Sequence, residues 1–412
     1  MKFHTSFEWV KFSPDCDGFE FMFGYYDRCA WDVTGKYHLA MKIPALPNRL
    51  PQIGEKAVIG ILDKIGHFVP LAETGAWCHQ QGCMELFLKH RPDCFIFNDF
   101  DEQDRKMVSR IFQLGKGIVG RYEYPVYAMS PNGKYAVSLN FGRIPRRGYS
   151  YAPALLPSDR FPADLDQEGL RLIDLASGDS KLIVSYRKML ETHPCAYTLE
   201  NKYIWLNHAI FNCDSTRILW LLRSITDEIG LTKMWHTFMY TCDLNGDQVK
   251  CSLPEVYWHN GMISHQIWGA KPTEIMVDAD WDGTGHHVIV YDDAETPFRA
   301  RKIAESHGAM AHLVYSPDGR WILADSYPDK EKMQSVLLID AENGRQLLLG
   351  KFRQNTPQGT IGEIRCDLHP RWNPAGDIVT IDSIDSGRRA IYLLDLHEAF
   401  AELKNQRKTA EE

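Results

Sequence analysis

Short apolar runs rich in β-branched and aromatic residues recur along the whole chain, each closed by a turn built from Pro, Gly, Asn or Asp. The clearest unit, "YSPDGRWILADSYPDKEKMQSVLLIDAENGRQLLLG" (315–350), reads turn, strand, polar loop, strand ending in Asp, turn, strand. The same grammar returns in "WNPAGDIVTIDSIDSGRRAIYLLDL" (372–396), and in "MSPNGKYAVSLNFGR" joined across a long insertion to "GLRLIDLASGDSKLIVS". It returns again in "FNCDSTRILWLLR" with "HTFMYTCDLNGDQVKCSL", and in "WDVTGKYHLAMK" with "AVIGILDKIGHFVPLAE". Weaker copies fall at 93–125 and 273–305. About seven units of roughly 40–60 residues predict an all-β, seven-bladed β-propeller. A pair of two-sheet sandwiches is the competing architecture. The last unit supplies three strands, so "FEWVKFS" (7–13) is expected to add the fourth and close the ring. Helical periodicity is scarce outside "LHEAFAELKNQRKTAEE" (396–412). The expected organisation is one propeller domain, 1–396, with a short helical tail, 397–412.

Composition narrows the classes. With 412 residues, 44% of them hydrophobic, the chain can bury a large core. A net charge of -8 without a basic run argues against nucleic acid as a partner. No apolar stretch approaches the length of a membrane span, so no membrane partner is expected. The first residues, "MKFHTSFEWVKFSPDCDG", lack a signal peptide's apolar segment. Ten cysteines without a C-x-x-C spacing fit reduced thiols. The expected location is therefore cytoplasmic, or periplasmic had a leader been removed. Oligomeric state is not written in the sequence. An aromatic content of 12% suits carbohydrate-handling and all-β proteins alike.

Candidate chemistry gathers where the units begin. His208 in "NHAIFN", His265 in "SHQIW", His312 in "GAMAHLVYSPDG" and His369 in "DLHPRW" each precede the residues that start a blade. Loops entering the innermost strands of a propeller face its central funnel, so equivalent positions in successive units imply convergence on the axis. Neutral imidazoles beside Asp367 suit a divalent cation such as Mn, Ca or Zn. Asp367 and His369, two apart along a strand, point to one face. Arg223, which closes the strand pair that His208 opens, is placed to grip a carboxylate. Tyr25 and Tyr26 in "FGYYDR", Gln80 in "AWCHQQGC", Asn140 and Arg143 in the insertion "NFGRIPRRGYSYA", and Arg365 are candidate substrate contacts. Each also has a plain reading as packing or a solvated loop.

The segments "NHAIFN…TRILWLLR", "SHQIW", "HLVYSPDGRWILADSYPD" and "RCDLHPRWNPAGDIVTIDSIDSGRRAIYLLDL" resemble the propeller-type polysaccharide lyases, the oligogalacturonate lyases in particular and the ulvan lyases more distantly. The resemblance covers residues 200 to 396 well and the first half loosely. It implies a uronate oligosaccharide as substrate, β-elimination as reaction and His208 as general base, with His265 or His312 as an orienting or proton-donating partner. It further implies a metal site, usually manganese, from His265 and a Gln-x-x-His-x-His-Pro cluster. Here that cluster reads "IRCDLHPRW": His369 keeps its place, Asp367 stands for a histidine, and the Gln is absent. Arg223 matches the arginine with which ulvan lyases neutralise the uronate. β-Elimination needs this combination, because the proton leaving C5 lies beside a carboxylate and the resulting dianion must be neutralised. Two other readings remain open: a glycosidase on the same scaffold, and a non-catalytic propeller binding a glycan or a protein.

Overall fold

The computed structural model describes residues 7–45, 49–144, 151, 164–193, 202–225, 236–254, 257, 262–308, 312–356 and 364–411. The strand nearest the start, β1 (Val10–Lys11), does not pair with its sequence neighbour. It joins the outer edge of the last sheet, with Val10 opposite Leu393 and Lys11 opposite Tyr392. Blade one is β2 (Phe19–Met22), β3 (His38–Pro44), β4 (Ala57–Leu62) and β5 (Phe68–Thr74). Blade two is β6 (Leu86–Leu88) to β9 (Gly117–Tyr122), and blade three β10 (Ala128–Met129) to β13 (Ser180–Ser185). Blade four is β14 (Tyr203–Phe211), β15 (Arg217–Ile225), β16 (His236–Asp243) and β17 (Lys250–Ser252). Blade five runs from β18 (Met262–Trp268) to β21 (Ala300–Glu305). Blade six is β22 (Leu313–Tyr315), β23 (Trp321–Asp325), β24 (Met333–Asp340) and β25 (Gln346–Arg353). β26 (Arg371–Trp372), β27 (Ile378–Ser383) and β28 (Ala390–Asp395) complete blade seven with β1. The ring is thus seven four-stranded sheets, closed by the early strand as the repeat pattern predicts.

The recurring turn explains the repeat. In blades three, six and seven, Gly133, Gly319 and Gly376 sit at φ near +70° between the first two strands. Each donates its N–H to the carbonyl three residues back, on Ser130, Ser316 and Asn373. A left-handed position of this kind favours glycine. In blade four Ser215 holds the same place at φ 65°, so "NCDST" makes the turn without a glycine.

The core is divided rather than central. Seven apolar clusters lie between neighbouring sheets, one at each interface of the ring. The junction of blades seven and one rests on Phe12, Ile391, Trp31, Ala40 and Leu62. Burial against both neighbours makes the middle strands continuously apolar, as in "RILWLL", instead of alternating. One short helix, α1 (Tyr186–Thr192), follows blade three, and a second, α2 (His397–Glu411), follows blade seven. The second helix lies on the outside of the ring, burying Ala399 and Leu403 in the cluster shared by blades six and seven. No described helix is long and apolar enough to cross a membrane.

Candidate functional site

Four innermost strands deliver the four histidines to one place. His208 sits in β14 where the pairing with β15 slips between Asn207 and Ile210. His265 sits in β18 at an equivalent slip between Ser264 and Ile267. Both bulges put a non-glycine residue in the left-handed region, His208 at φ 54° and His265 at φ 48°. His369, just before β26, has φ 45°. A bulge of this sort re-aims one side chain out of the ladder, at a backbone cost of order 1–3 kcal/mol. The three histidines and His312 are all buried. The rings of His265 and His312 have centroids 3.8 Å apart, and those of His312 and His369 are 4.3 Å apart.

The segment "FGYYDR" runs under this cluster. Asp382 accepts hydrogen bonds from the backbone N–H groups of Phe23 and Gly24, and pairs with Arg371 at 2.8 Å, both charges fully buried. Arg371 and His369 Nδ1 both donate to the Gly24 carbonyl, at 3.0 and 2.7 Å. Gly24 has φ 125°, and a Cβ there would lie 2.6 Å from the backbone of Gln81, so no other residue fits. The clamp projects Tyr25 and Tyr26 into the well. Tyr25 Oη lies 2.5 Å from His208 Nε2. The Tyr26 ring lies within 6.1 Å of all four imidazoles. Both tyrosines are buried against the histidines, so neither offers an open face on which a sugar can stack.

Two of the histidines have their orientation fixed by a second set of groups. His312 Nδ1 lies 2.9 Å from Asp325 Oδ1, and its backbone N–H donates to the same carboxylate. The other Asp325 oxygen accepts from the His369 N–H at 3.0 Å. With Nδ1 engaged on both rings, Nε2 is the nitrogen each presents to the well, and that of His369 is buried without a partner. His312, Asp367 and His369 bring one ligand atom each within 4.8 Å of one another. The expected metal set was His265, Asp367 and His369. The grouped donors are His312, Asp367 and His369; the ring of His265 lies 3.8 Å from that of His312, tilted by 47°.

Arg365 is ion-paired with Asp367 at 2.9 Å and donates to the Tyr327 hydroxyl. It therefore acts first on the aspartate. Arg223 faces Trp205 on the strand next to His208, and its positive charge is felt by both His208 and His265. Burial, then Arg223 and His312, hold His208 well below the usual histidine range. Burial and the neighbouring imidazoles do the same for His265, and burial with His312 and Arg371 for His369. These rings are neutral at pH 7, the form that accepts protons and ligates cations.

Three of the expected substrate contacts are engaged by protein groups. Gln80 is buried and donates to the Arg365 carbonyl. Asn140 caps the short turn 141–143, accepting from the Gly142 N–H. Arg143 is buried against blade four, donating to the Ile204 carbonyl, and its insertion's other arginines lie outside the described residues. Asp325, Asp382 and Arg371, which position the site, were not among the candidates. Their signal was the repeated "ADS" and "IDS" at the ends of β23 and β27. In each, the aspartate N–H donates to the carbonyl of the residue entering its blade, His312 or Leu368.

No protein-family model and no curated protein matches the sequence. Solved structures do. The oligogalacturonate lyase of Vibrio parahaemolyticus superposes with a TM-score of 0.61 at 14% identity, over 96% of both chains. An oligogalacturonate lyase in complex with manganese gives 0.62 at 16% identity, over 96% of this chain and 94% of that one. A prolyl endopeptidase gives 0.51 at 9% identity, over 92% of this chain but 47% of that one. At such identities the likeness is one of fold. The chain is a seven-bladed propeller, and it shares that fold from the first blade to the last with the two oligogalacturonate lyase structures.

Proposed function

We propose that the protein is a lyase that cleaves uronate-containing oligosaccharides by β-elimination in the histidine well. The observation that carries this reading is the contact between Tyr25 Oη and His208 Nε2 in a well ringed by neutral imidazoles and Arg223. In the tautomer the chemistry needs, His208 donates from Nε2 to the Tyr25 oxygen, leaving a bare Nδ1 and a free phenolic proton. His208 Nδ1, buried and without a partner, takes the proton from C5. The C5 electrons form the C4–C5 double bond as the C4–O bond breaks, and Tyr25 protonates the departing glycosidic oxygen. Passage of the Nε2 proton to the phenolate restores Tyr25, and loss of the Nδ1 proton to solvent with reprotonation of Nε2 returns His208 to its starting tautomer. A depressed pKa keeps His208 from taking up a second proton before the reaction but makes it a weak base. Arg223, beside it, compensates by neutralising the uronate carboxylate and so acidifying C5.

His312, Asp367 and His369 suit a divalent cation. They offer two imidazole nitrogens and one carboxylate, each ring oriented from behind and the carboxylate held by Arg365. Such an ion would supply Lewis acidity toward the uronate carboxylate. Manganese is the proposed occupant, because two nitrogens and an oxygen form a mixed donor set and the manganese-bound lyase shares the fold. The test is incubation with oligogalacturonate and a panel of other uronate oligosaccharides, followed by ultraviolet absorbance of the unsaturated product. Absorbance that grows with wild type and not with His208→Ala supports the reading. A panel that yields no unsaturated product overturns it.

A further inference from the structure

Asp367 is a buried anion of the histidine well, and the chain itself supplies a cation for it. The Asp367 side chain is 1% exposed, against 34% for that of Arg365, two positions earlier. Arg365 Nε donates to Asp367 Oδ1 at 2.9 Å, and Nη2 lies 2.9 Å from Oδ2. That Nη2 directs its hydrogen bond to the Tyr327 hydroxyl, at 3.0 Å. Asp367 Oδ2 and His369 Nε2 are therefore both buried ligand atoms without a hydrogen-bond partner. They belong to the two residues that, with His312, bring their ligand atoms together.

The backbone under Arg365 is fixed, while its side chain has room to leave. The Arg365 carbonyl accepts from Gln80 Nε2 at 3.1 Å and from Arg389 Nη2 at 3.0 Å. Arg389 Nη2 also donates to the Ile364 carbonyl at 2.9 Å, and both Gln80 and Arg389 are buried. The guanidinium, by contrast, lies over the Tyr327 ring, 5.0 Å from its centroid. Tyr327 is only partly buried and stands beside His265 and His312, with ring centroids 5.9 Å from each. Rotation of the Arg365 side chain along that ring moves its charge from the carboxylate to the mouth of the well without disturbing the backbone. A divalent cation taken up by Asp367 brings its two charges against the guanidinium that already neutralises the carboxylate. Like charges repel strongly where water is excluded, so the two cations compete for one anion.

We infer that Arg365 is an exchangeable counter-ion of the well: it neutralises Asp367 until a divalent cation binds, and cation binding displaces its guanidinium from the carboxylate to the mouth beside Tyr327. This inference rests on the cation site proposed above and not on the elimination chemistry.

The test titrates Mn²⁺ into chelator-treated protein, with the free ion read by electron paramagnetic resonance and the heat by calorimetry. Arg365→Met removes the charge and keeps a long side chain, and it is expected to bind one Mn²⁺ per chain roughly tenfold more tightly than wild type. Arg365→Lys, which keeps the charge and loses the fork, should fall between the two. A second readout is phenylglyoxal labelling of wild type, followed at single arginines by peptide mass spectrometry. Saturating Mn²⁺ should quicken labelling of Arg365 severalfold and leave Arg371, buried against Asp382, unchanged. Thermal unfolding identifies whether each variant is folded, and if Arg365→Met is not, the labelling of wild type decides. Equal or weaker Mn²⁺ binding in folded Arg365→Met, or Arg365 labelling that Mn²⁺ slows or leaves unchanged, overturns the inference. Absence of Mn²⁺ binding in wild type and variants alike ends the cation site and this exchange with it. Neither readout uses turnover, so a uronate panel without unsaturated product would end the lyase reading and leave the exchange standing.

Discussion

Asp325 holds His312 at two points, accepting from its backbone N–H at 2.8 Å and facing its Nδ1 at 2.9 Å, and with its other oxygen takes the N–H of His369. One carboxylate on blade six therefore sets the aim of two imidazoles on different blades. Replacing it by asparagine keeps the size and removes the charge that fixes the His312 tautomer. Asp325→Asn is expected to weaken binding of Mn²⁺ about 10- to 100-fold, the usual effect of an outer-shell change. Calorimetric titration of the apo protein checks this; an unchanged affinity would place the cation elsewhere.

Tyr25 should behave as a reacting group and not as packing. Tyr25→Phe retains the ring against His208 and His369 and removes only the hydroxyl. Turnover on the substrate is expected to fall by roughly 10²–10⁴ with KM little changed, because proton transfer rather than ground-state binding is lost. The mutant's melting temperature should stay close to that of wild type. Full activity in Tyr25→Phe would leave the leaving oxygen to another donor.

The Arg371–Asp382 pair is the anchor of the Gly24 segment. Both charges are buried, so Asp382→Ala strands a guanidinium and frees the Phe23 and Gly24 amides. The expected loss is about 3–5 kcal/mol, read from chemical denaturation. Gly24→Ala should be comparably damaging, since the added carbon meets the Gln81 backbone at 2.6 Å. A change below about 1 kcal/mol in Asp382→Ala would mean the segment is held by other contacts.

Glu85 gives the fold a pH signature. Burial pushes its carboxyl up to about 7, against 4.5 for the free group. Between those values the unfolded chain is ionised and the folded one is not. The associated stability is complete below pH 4.5 and is lost as pH rises through 7. Relative to Glu85→Gln, wild type is expected to lose on the order of 3 kcal/mol between pH 5 and 8. The comparison with the variant removes the buried histidines, whose depressed pKa values act in the opposite direction as pH falls. Parallel pH curves for the two proteins would refute the assignment.

The architecture could be read from residue order because its signals are local. Turns such as "SPDG" and "NPAG" need a left-handed glycine wherever they occur, and blade-facing strands are apolar on both sides. The convergence of His208, His265, His312 and His369 followed from equivalence within the repeat. Exchanging His265 for His312 among the grouped donors could not be foreseen, since both precede their blades alike and differ only in the bulge that tilts His265. Asn140 and Arg143 were expected at the ligand because an arginine-rich insertion looks like a lid. In the fold Asn140 caps the turn 141–143 and Arg143 donates to the Ile204 carbonyl, partners that lie far away in sequence or in the backbone and carry no sequence signal. Asp325 went unseen because its partner lies 44 residues away on the next blade.

Three of the imidazoles occupy backbone conformations that glycine would adopt without penalty. Glycine at His208, His265 or His369 would release that backbone strain only by emptying the well and giving up the buried ring's packing. Any thermally improved version of this propeller must be screened at those three positions, because there robustness and reactivity pull against each other.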